Sequence, residues 1–252
     1  MRDSDFMKKK KIIMALIALG IIIVIIGTII AITGSNSKNK KPRVEKEIVD
    51  LVKSDYKASN IIYGIPETEE KYMYGLRDSL PKEYQGRIVI KVSKTKTEKL
   101  IEACREQVSL QTQYCEPWIV FDRDEVPNFD RIIRDAERCG IHVGWSNPCI
   151  EIWFDAYFGT MHTDWLTSPV CCQRFGDIFE KRTGQEYIKS NPQNYNLLTR
   201  FGDENTAIQI AEKRLQHYLS NGQTTPSKMC PCTTLHHLVG EILRKTVLSK
   251  ND

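Results

Sequence analysis

Outside its first 43 residues, the chain has no excess of positive charge. The 252-residue sequence contains 36 lysines and arginines against 32 aspartates and glutamates. Residues 1–43 hold nine of the basic residues and two of the acidic ones, which leaves 27 basic and 30 acidic residues in the other 209. A protein that coats nucleic acid needs bulk positive charge, so this mildly acidic body argues against that class. Nucleic-acid chemistry here would need a local site, most simply one built around a metal ion.

The sequence also lacks the cysteine spacing of a small disulfide-bonded protein. Its eight cysteines are spread through predicted helices and strand ends of a sizeable domain. Four disulfides outside the cell and eight reduced thiols inside it are both compatible with this number. With 41% hydrophobic and 27% charged residues, the composition is globular, which excludes a disordered or collagen-like chain. The sequence contains no internal repeat.

One long uncharged run lies near the amino terminus. Residues 12–32 are 21 apolar or small residues, and as a helix they would span roughly 30 Å, the hydrocarbon thickness of a bilayer. A buried core helix of this length would show a polar stripe, and a cleaved signal peptide would have a shorter apolar run. We therefore predict a transmembrane anchor within residues 1–33. Basic clusters flank the run on both sides, so the positive-inside rule does not fix its orientation.

From residue 58 onward, short apolar segments alternate with segments of helical spacing. The predicted strands cover residues 60–65, 87–92, 118–121 and 141–145, and the predicted helices cover residues 67–79, 95–110, 129–138 and 148–158. This alternation is typical of βαβ units. It predicts an α/β core over residues 58–160, with a mostly parallel sheet flanked by helices. Residues 34–57 are predicted to be a basic and polar tether between the anchor and this core.

The segment after residue 160 has a different character. Residues 161–252 are predicted to form a helical C-terminal region without strands, and its clearest helices cover residues 203–219 and 233–248. At the end of the core, Pro148 is expected to open the last helix, since proline is favoured in the first turn.

Polar side chains follow three of the predicted strands, in residues 64–69, 121–125 and 146–151. Ligands of open parallel sheets bind at the carboxyl ends of the strands. Asp122 and Asp124 would project to one face if the strand extends through them. Two adjacent carboxylates repel each other, and a hard divalent cation such as Mg²⁺ or Mn²⁺ relieves that repulsion. The pair therefore predicts a metal site suited to phosphodiester cleavage, although a turn with a helix cap is the simpler alternative.

Three neighbouring residues complete this candidate site. Glu151 lies in the first turn of a predicted helix and is expected either to serve as a further acid of the site or only to interact with the helix dipole. Asn147 is expected either to contact phosphate or to cap the same helix. Arg123, between the two aspartates, is assigned with Asn147 to substrate positioning.

A zinc site is a rival interpretation of the C-terminal region. Cys230, Cys232, His236 and His237 offer the right ligand types. The two cysteines are too close together for the usual zinc pairing, and only Cys171–Cys172 offers a distant partner. Loop cysteines followed by a helix start are the favoured explanation.

The motifs resemble those of one known family. Residues 121–129 (FDRDEVPNF), 146–153 (SNPCIEIW) and 231–239 (PCTTLHHLV) are similar to three blocks of the RloB-like proteins, and the resemblance covers residues 58–245. RloB-like proteins are bacterial, are associated with phage defence and have a Toprim-type nuclease fold. The resemblance thus implies a Toprim or Rossmann-like sheet, Mg²⁺ (or Mn²⁺), a Glu after the first strand, and metal ligands at Asp122 and Asp124. It also favours a cytoplasmic domain and an ATPase as partner protein.

One position departs from the family pattern. Alignment of the first motif puts Gly64 where the Toprim Glu is expected, so Glu67 or Glu69 would have to supply the catalytic acid, with Glu151 nearby.

The main hypothesis is a membrane-anchored, single-pass protein of the bacterial cell membrane that cuts RNA or DNA in phage defence. The alternatives are a catalytically impaired sensor or partner-binding module at the membrane and, less favoured, an extracellular disulfide-stabilised domain. The sequence does not predict the oligomeric state.

Overall fold

A computed structural model of the protein describes residues 59–64, 68–92, 97–110, 115–124 and 126–248. The predicted anchor, the tether and Glu67 lie outside these ranges. The described residues belong to one unit, Ala58–Asp252. Within them, no helix has the length and apolar character needed to cross a membrane.

The centre of this unit is a five-stranded sheet with the order β2-β1-β3-β4-β5. The first four strands are parallel, and β5 runs antiparallel to β4. The predicted α/β fold with a mostly parallel sheet is therefore confirmed. The strands are β1 (Ser59–Gly64), β2 (Ile88–Val92), β3 (Cys115–Asp122), β4 (His142–Asn147) and β5 (Cys232–Thr233).

Helices surround the sheet and form most of the chain after β4. The longer ones bury apolar residues at helical spacing; α4, for example, buries Phe129, Ile132, Ile133 and Ala136. The helices are α1 (Thr68–Ser79), α2 (Lys82–Gln85), α3 (Leu100–Leu110), α4 (Phe129–Arg138), α5 (Glu151–Tyr157), α6 (Ser168–Thr183), α7 (Asn194–Phe201), α8 (Glu204–Ser220) and α9 (Leu235–Leu248), with short 3-10 helices at Thr97–Lys99 and Pro226–Lys228.

Both faces of the sheet are covered. Successive residues of β3 point to opposite faces, so Trp118 and Val120 join one hydrophobic cluster while Ile119 and Phe121 join another. The first cluster contains α5, of which every residue is buried, together with residues of α1, α6 and α7. Burial on both faces explains why the middle of β3 is a continuous apolar run.

The structure corrects two predictions about secondary structure, one about a strand and one about the start of a helix. The prediction that no strand follows residue 160 is wrong, because β5 pairs with β4 through Thr233 and Cys232. A strand of two residues has no detectable period, and the Thr233 hydroxyl holds it by donating a hydrogen bond to the Trp145 carbonyl at 3.0 Å. The prediction that Pro148 opens a helix is also wrong. The Asn147–Pro148 peptide bond is cis, and α5 begins at Glu151.

A buried polar network joins the helices on one side of the sheet. The hydroxyl groups of Tyr72 on α1 and Tyr157 on α5 are 2.7 Å apart. Tyr157 donates to a carboxylate oxygen of Glu204 at 2.6 Å, and Tyr195 donates to the same oxygen at 3.3 Å. The network therefore ties α1, α5 and α7 to the first turn of α8.

Candidate functional site

The carboxyl ends of β1, β3 and β4 meet at one edge of the sheet. Gly64, the last residue of β1, pairs with Val120, and Asp122, the last residue of β3, pairs with Ser146. Side chains that follow these strands are therefore brought together, as the sequence predicted for an open parallel sheet.

Asp122 is at the centre of this edge. Its Oδ2 accepts a hydrogen bond from the backbone N–H of Ile150 at 3.0 Å. The residue as a whole is partly exposed, but protein atoms surround its carboxyl group, and this burial raises its pKa well above the usual range. The negative charges of Glu69 and Glu151 raise the pKa further, whereas the Ile150 N–H and the Lys189 charge lower it. Asp122 is thus a carboxylate under repulsion from two others.

Glu151 is the most deeply buried acid of the site, with no exposed surface. The Tyr187 hydroxyl donates to its Oε1 at 3.0 Å, and the Lys189 Nζ lies 3.3 Å from the same oxygen. Its Oε2 is buried and has no hydrogen-bond partner among the described residues. A buried carboxylate oxygen without a partner is costly, and a bound cation would remove that cost.

Glu69 contributes the third carboxylate. It lies in the first turn of α1 and is only 8% exposed. Its charge is the second-largest influence on the pKa of Asp122, after burial. The charges of Glu69 and Glu151 therefore act on Asp122 from two other segments of the chain. The carboxylate oxygens of these residues are the donor type that a hard cation such as Mg²⁺ prefers, and the metal stays a prediction.

Asp124 does not share this setting. Strand β3 ends at Asp122, and Asp124 lies in a turn with a φ of 22°, with its backbone N–H bonded to the Pro148 carbonyl at 3.0 Å. The condition that placed both aspartates on one strand face is therefore not met. Asp124 is exposed, and Arg123 donates to its backbone carbonyl at 2.7 Å. Its role as a metal ligand stays a prediction.

The chain also matches the model of a known protein family. The model of the family described as RloB-like protein matches residues 61–242. The chain belongs to the RloB-like family. No curated protein and no solved structure matches it.

In this RloB-like protein, Asn147 has a structural contact that the sequence did not predict. Its side-chain amide is buried and donates to the carbonyls of Pro226 and Ser227 at 3.1 and 3.2 Å. It does not cap α5, whose N-cap residue is Ile150 with no side-chain cap. The capping alternative is therefore wrong, and its role in substrate positioning stays a prediction.

Two thiols border the RloB-like site. The sulfur atoms of Cys149 and Cys172 are 3.9 Å apart, and they lie with a Glu151 oxygen in a group whose donor atoms are all within 4.8 Å. Hydrogen bonding to Cys171 and Cys172 raises the pKa of Cys149, and the bond to Cys149 lowers the pKa of Cys172. All eight cysteines are free thiols, which contradicts the disulfide-stabilised alternative. Thiols beside a carboxylate favour a softer ion such as Zn²⁺ over Mg²⁺.

Sequence reasoning missed Tyr187, Lys189 and Cys172 as parts of this site. Cys172 lies near the beginning of α6, and Tyr187 and Lys189 lie in the connection from α6 to α7, so all three are more than 20 residues after Glu151. No local pattern marks a loop tyrosine or lysine as the partner of a distant acid. Burial acts to lower the pKa of Lys189, but the charges of Glu151 and Cys172 leave it raised, so the lysine stays positive beside the acids.

Proposed function

We propose that this RloB-like protein is a Mg²⁺- or Mn²⁺-dependent nuclease of bacterial phage defence, with a Toprim-type domain held at the membrane by residues 12–32. The observation that carries the proposal is the Glu151 Oε2 atom, which is buried and has no hydrogen-bond partner among the described residues, in an acid whose charge acts on Asp122. A cation bound by the carboxylate oxygens of these acids would act as a Lewis acid on the phosphate and would activate water.

The residues of the chain have separate tasks in this proposal. Asp122 and Glu151 would hold the ion, with Asp124 as the predicted further ligand at the exposed side. Glu69 would move the proton that phosphodiester cleavage requires, because it is buried in the first turn of α1 and its charge acts on Asp122. Arg123 would position the phosphate, and Lys189 would hold Glu151 in place through the ion pair with its Oε1.

A cleavage assay on the purified full-length chain tests the nuclease function. With mixed RNA and DNA, we expect cutting that requires Mg²⁺ or Mn²⁺ and stops when a chelator is added. Asp122→Asn should reduce the rate by about 10² or more, since it removes a ligand charge from the reacting centre. The matched control Asp164→Asn changes an aspartate side chain that is 76% exposed and should leave the rate unchanged. Cleavage that continues in the chelator would contradict the proposal.

One observation supports a second function. Gly64 ends β1 at the position where the family pattern has its catalytic acid, and no side chain there can move a proton. A chain that binds metal and nucleic acid but never cuts would be a sensor or partner-binding module at the membrane. An ATPase would then be the expected partner, and co-purification with such a protein would support this function.

A further inference from the structure

A second group of metal-ligand side chains lies away from the carboxylate site, between α8 and α9. It consists of Glu212 on α8 and the consecutive residues His236 and His237 in the first turn of α9. The Nε2 atoms of His236 and His237 lie 2.9 and 3.3 Å from the same Glu212 oxygen, Oε2. The donor atoms of the three residues are all within 4.8 Å of one another. Two imidazole nitrogens and one carboxylate oxygen therefore converge on one point.

The surroundings hold this arrangement in place. The other Glu212 oxygen, Oε1, accepts a hydrogen bond from Gln216 at 2.8 Å, one helical turn further along α8. A hydrogen bond of this kind orients a ligating carboxylate and leaves Oε2 directed at the imidazoles. His236 is fixed by burial, with 2% of its side chain exposed. Glu212 and His237 are 43% and 48% exposed, so an ion could enter from solvent and complete its coordination with water.

The donor set differs from the one predicted from the sequence. The sequence offers Cys230 and Cys232 together with the two histidines as zinc ligands, but Cys230 is buried and donates to the Leu166 carbonyl at 3.4 Å. The third member of the group is Glu212, which is 24 residues before His236, and not a cysteine. No sequence spacing could have indicated it, because α8 and α9 are joined through β5.

We propose that Glu212, His236 and His237 bind a divalent first-row transition metal ion, represented by Zn²⁺, at the junction of α8 and α9. Imidazole and carboxylate ligands are the usual set for such ions, whereas Mg²⁺ prefers oxygen donors alone. None of the three residues belongs to the carboxylate site, so this inference holds whether or not the protein is a nuclease. The bound ion joins two helices and stabilises the native state by mass action.

Titration of the full-length chain, prepared without a histidine tag, tests the site. We expect Zn²⁺ to bind and to raise the thermal midpoint, with affinity reduced at least about tenfold in Glu212→Gln and in His237→Ala. Both residues are half-exposed, so these variants should fold, whereas a change at buried His236 could disturb packing. His217→Ala is the matched control, because His217 lies on α8 but outside the group. Equal Zn²⁺ affinity in wild type, Glu212→Gln and His237→Ala would overturn the proposal.

The thiols near Glu151 are the competing zinc ligands, so a second comparison separates the two places. Cys172→Ser should keep the Zn²⁺ binding that His237→Ala loses. Co²⁺ bound to the wild type should give a visible spectrum without sulfur-to-cobalt charge-transfer bands. His237→Ala and Glu212→Gln should lose this spectrum. Binding that is lost in Cys172→Ser and kept in His237→Ala would assign the ion to the thiols and refute the site proposed here.

Discussion

The Asp122 carboxyl group lies in a position where ionisation is unfavourable unless a cation is present. Burial and the charges of Glu69 and Glu151 all raise its pKa, whereas the backbone N–H of Ile150 and the Lys189 charge favour the ionised form. Residues kept under such repulsion are typical of functional sites, where stability is given up for activity. The same repulsion makes the behaviour of single variants predictable.

Asp122→Asn should therefore change stability in opposite directions with and without metal. The amide keeps an oxygen that can accept from Ile150 and removes a repelling charge, so the metal-free variant should melt higher than wild type. A gain of about 1 kcal/mol corresponds to roughly 2–4 °C in a domain of this size. Mg²⁺ or Mn²⁺ should stabilise wild type, and Asp164→Asn equally, but not Asp122→Asn or the Asp122→Asn/Asp124→Asn double variant. The same metal-dependent shift in the double variant would show that the ion binds elsewhere.

Gly64→Glu should increase cleavage, because it returns an acid to the expected position. Gly64 pairs with Val92 and Val120 in the extended strand β1, a conformation that other residues adopt readily. General acid-base assistance is typically worth about 10² to 10⁴ in rate. Rates are to be measured with the substrate in excess.

Glu69→Gln tests whether Glu69 takes the place of the acid that is missing at position 64, and it should lower the wild-type cleavage rate. The control is Glu83→Gln, at an exposed residue. Unchanged cleavage in Glu69→Gln and Glu67→Gln would exclude a substitute acid. A complete lack of cleavage, including in Gly64→Glu, would favour the sensor or partner-binding module.

At the scale of elements, β5 shows how a very short segment can be held in a sheet. The Thr233 hydroxyl donates to the Trp145 carbonyl and accepts from the Leu235 N–H at 3.1 Å. The Thr234 hydroxyl donates to the Val143 carbonyl at 3.1 Å and accepts from the Trp145 N–H. Side-chain hydrogen bonds thus replace the ladder that a longer strand would provide, and α9 starts directly from them.

Thr233→Val should destabilise the domain by about 1–3 kcal/mol. Valine has the shape of threonine but leaves the buried Leu235 N–H and Trp145 carbonyl with fewer partners. Chemical unfolding monitored by circular dichroism measures the loss. Thr224→Val, at an exposed loop residue, is the control and should change the unfolding free energy by less than about 0.5 kcal/mol. Equal stability of the two variants would mean that the Thr233 hydroxyl does not hold β5.

Glu204→Gln should make the stability of the helical network less sensitive to pH. Burial raises the pKa of Glu204 in the folded state, so its favourable contribution is complete below the unfolded pKa of about 4.3 and is lost as pH rises through the folded pKa. Glutamine keeps an acceptor for Tyr157 and carries no charge. The variant should therefore gain stability over wild type as pH rises from 4 to about 8. Parallel thermal midpoints across that range, as expected for the Glu83→Gln control, would contradict this explanation.

The strand and helix pattern could be predicted where hydrophobic periodicity is strong. The strands up to β4 and the helices α1, α3 and α4 follow such periods, and Asp203 is visible as the cap of α8, accepting from the Thr206 N–H at 2.6 Å. Helix α6 also has a sequence signal, because its buried residues Cys171, Phe175 and Phe179 are four apart and a glycine follows its end. The contacts of Glu151 with the α6–α7 connection could not be predicted, because they depend on long-range packing.

At the scale of the whole molecule, the charge of the chain is divided between its two parts. Residues 1–43 are strongly basic and contain the uncharged run, while the rest carries slightly more acids than bases. A basic segment next to an apolar span is suited to a membrane surface with anionic lipids. The acidic body, in contrast, depends on its local site for any contact with nucleic acid.

The predicted anchor should keep the full-length protein in the membrane fraction. High salt weakens electrostatic attachment and carbonate strips peripheral proteins, but neither removes a spanning apolar segment of 21 residues. Deletion of residues 1–41 should move the protein to the soluble fraction as a folded domain. Charge reversal at Lys38, Lys40 and Lys41 is the control and should leave it in the membrane fraction. Release of the full-length protein by either wash would show that residues 12–32 are not a membrane anchor.

The tyrosine network has a consequence for how much reorganisation ion binding requires. Tyr72 and Tyr157 clamp α1 to α5 within two turns of Glu69 and Glu151, so the separation of these two acids is fixed when the chain folds. The conformational entropy of the ligand side chains is then lost during folding, so little more is lost when an ion binds. If the proposed ion binds there, such preorganisation would make the site selective for ion size and would disfavour a larger ion such as Ca²⁺. Tyr157 would thus influence ion selectivity from a position outside the site.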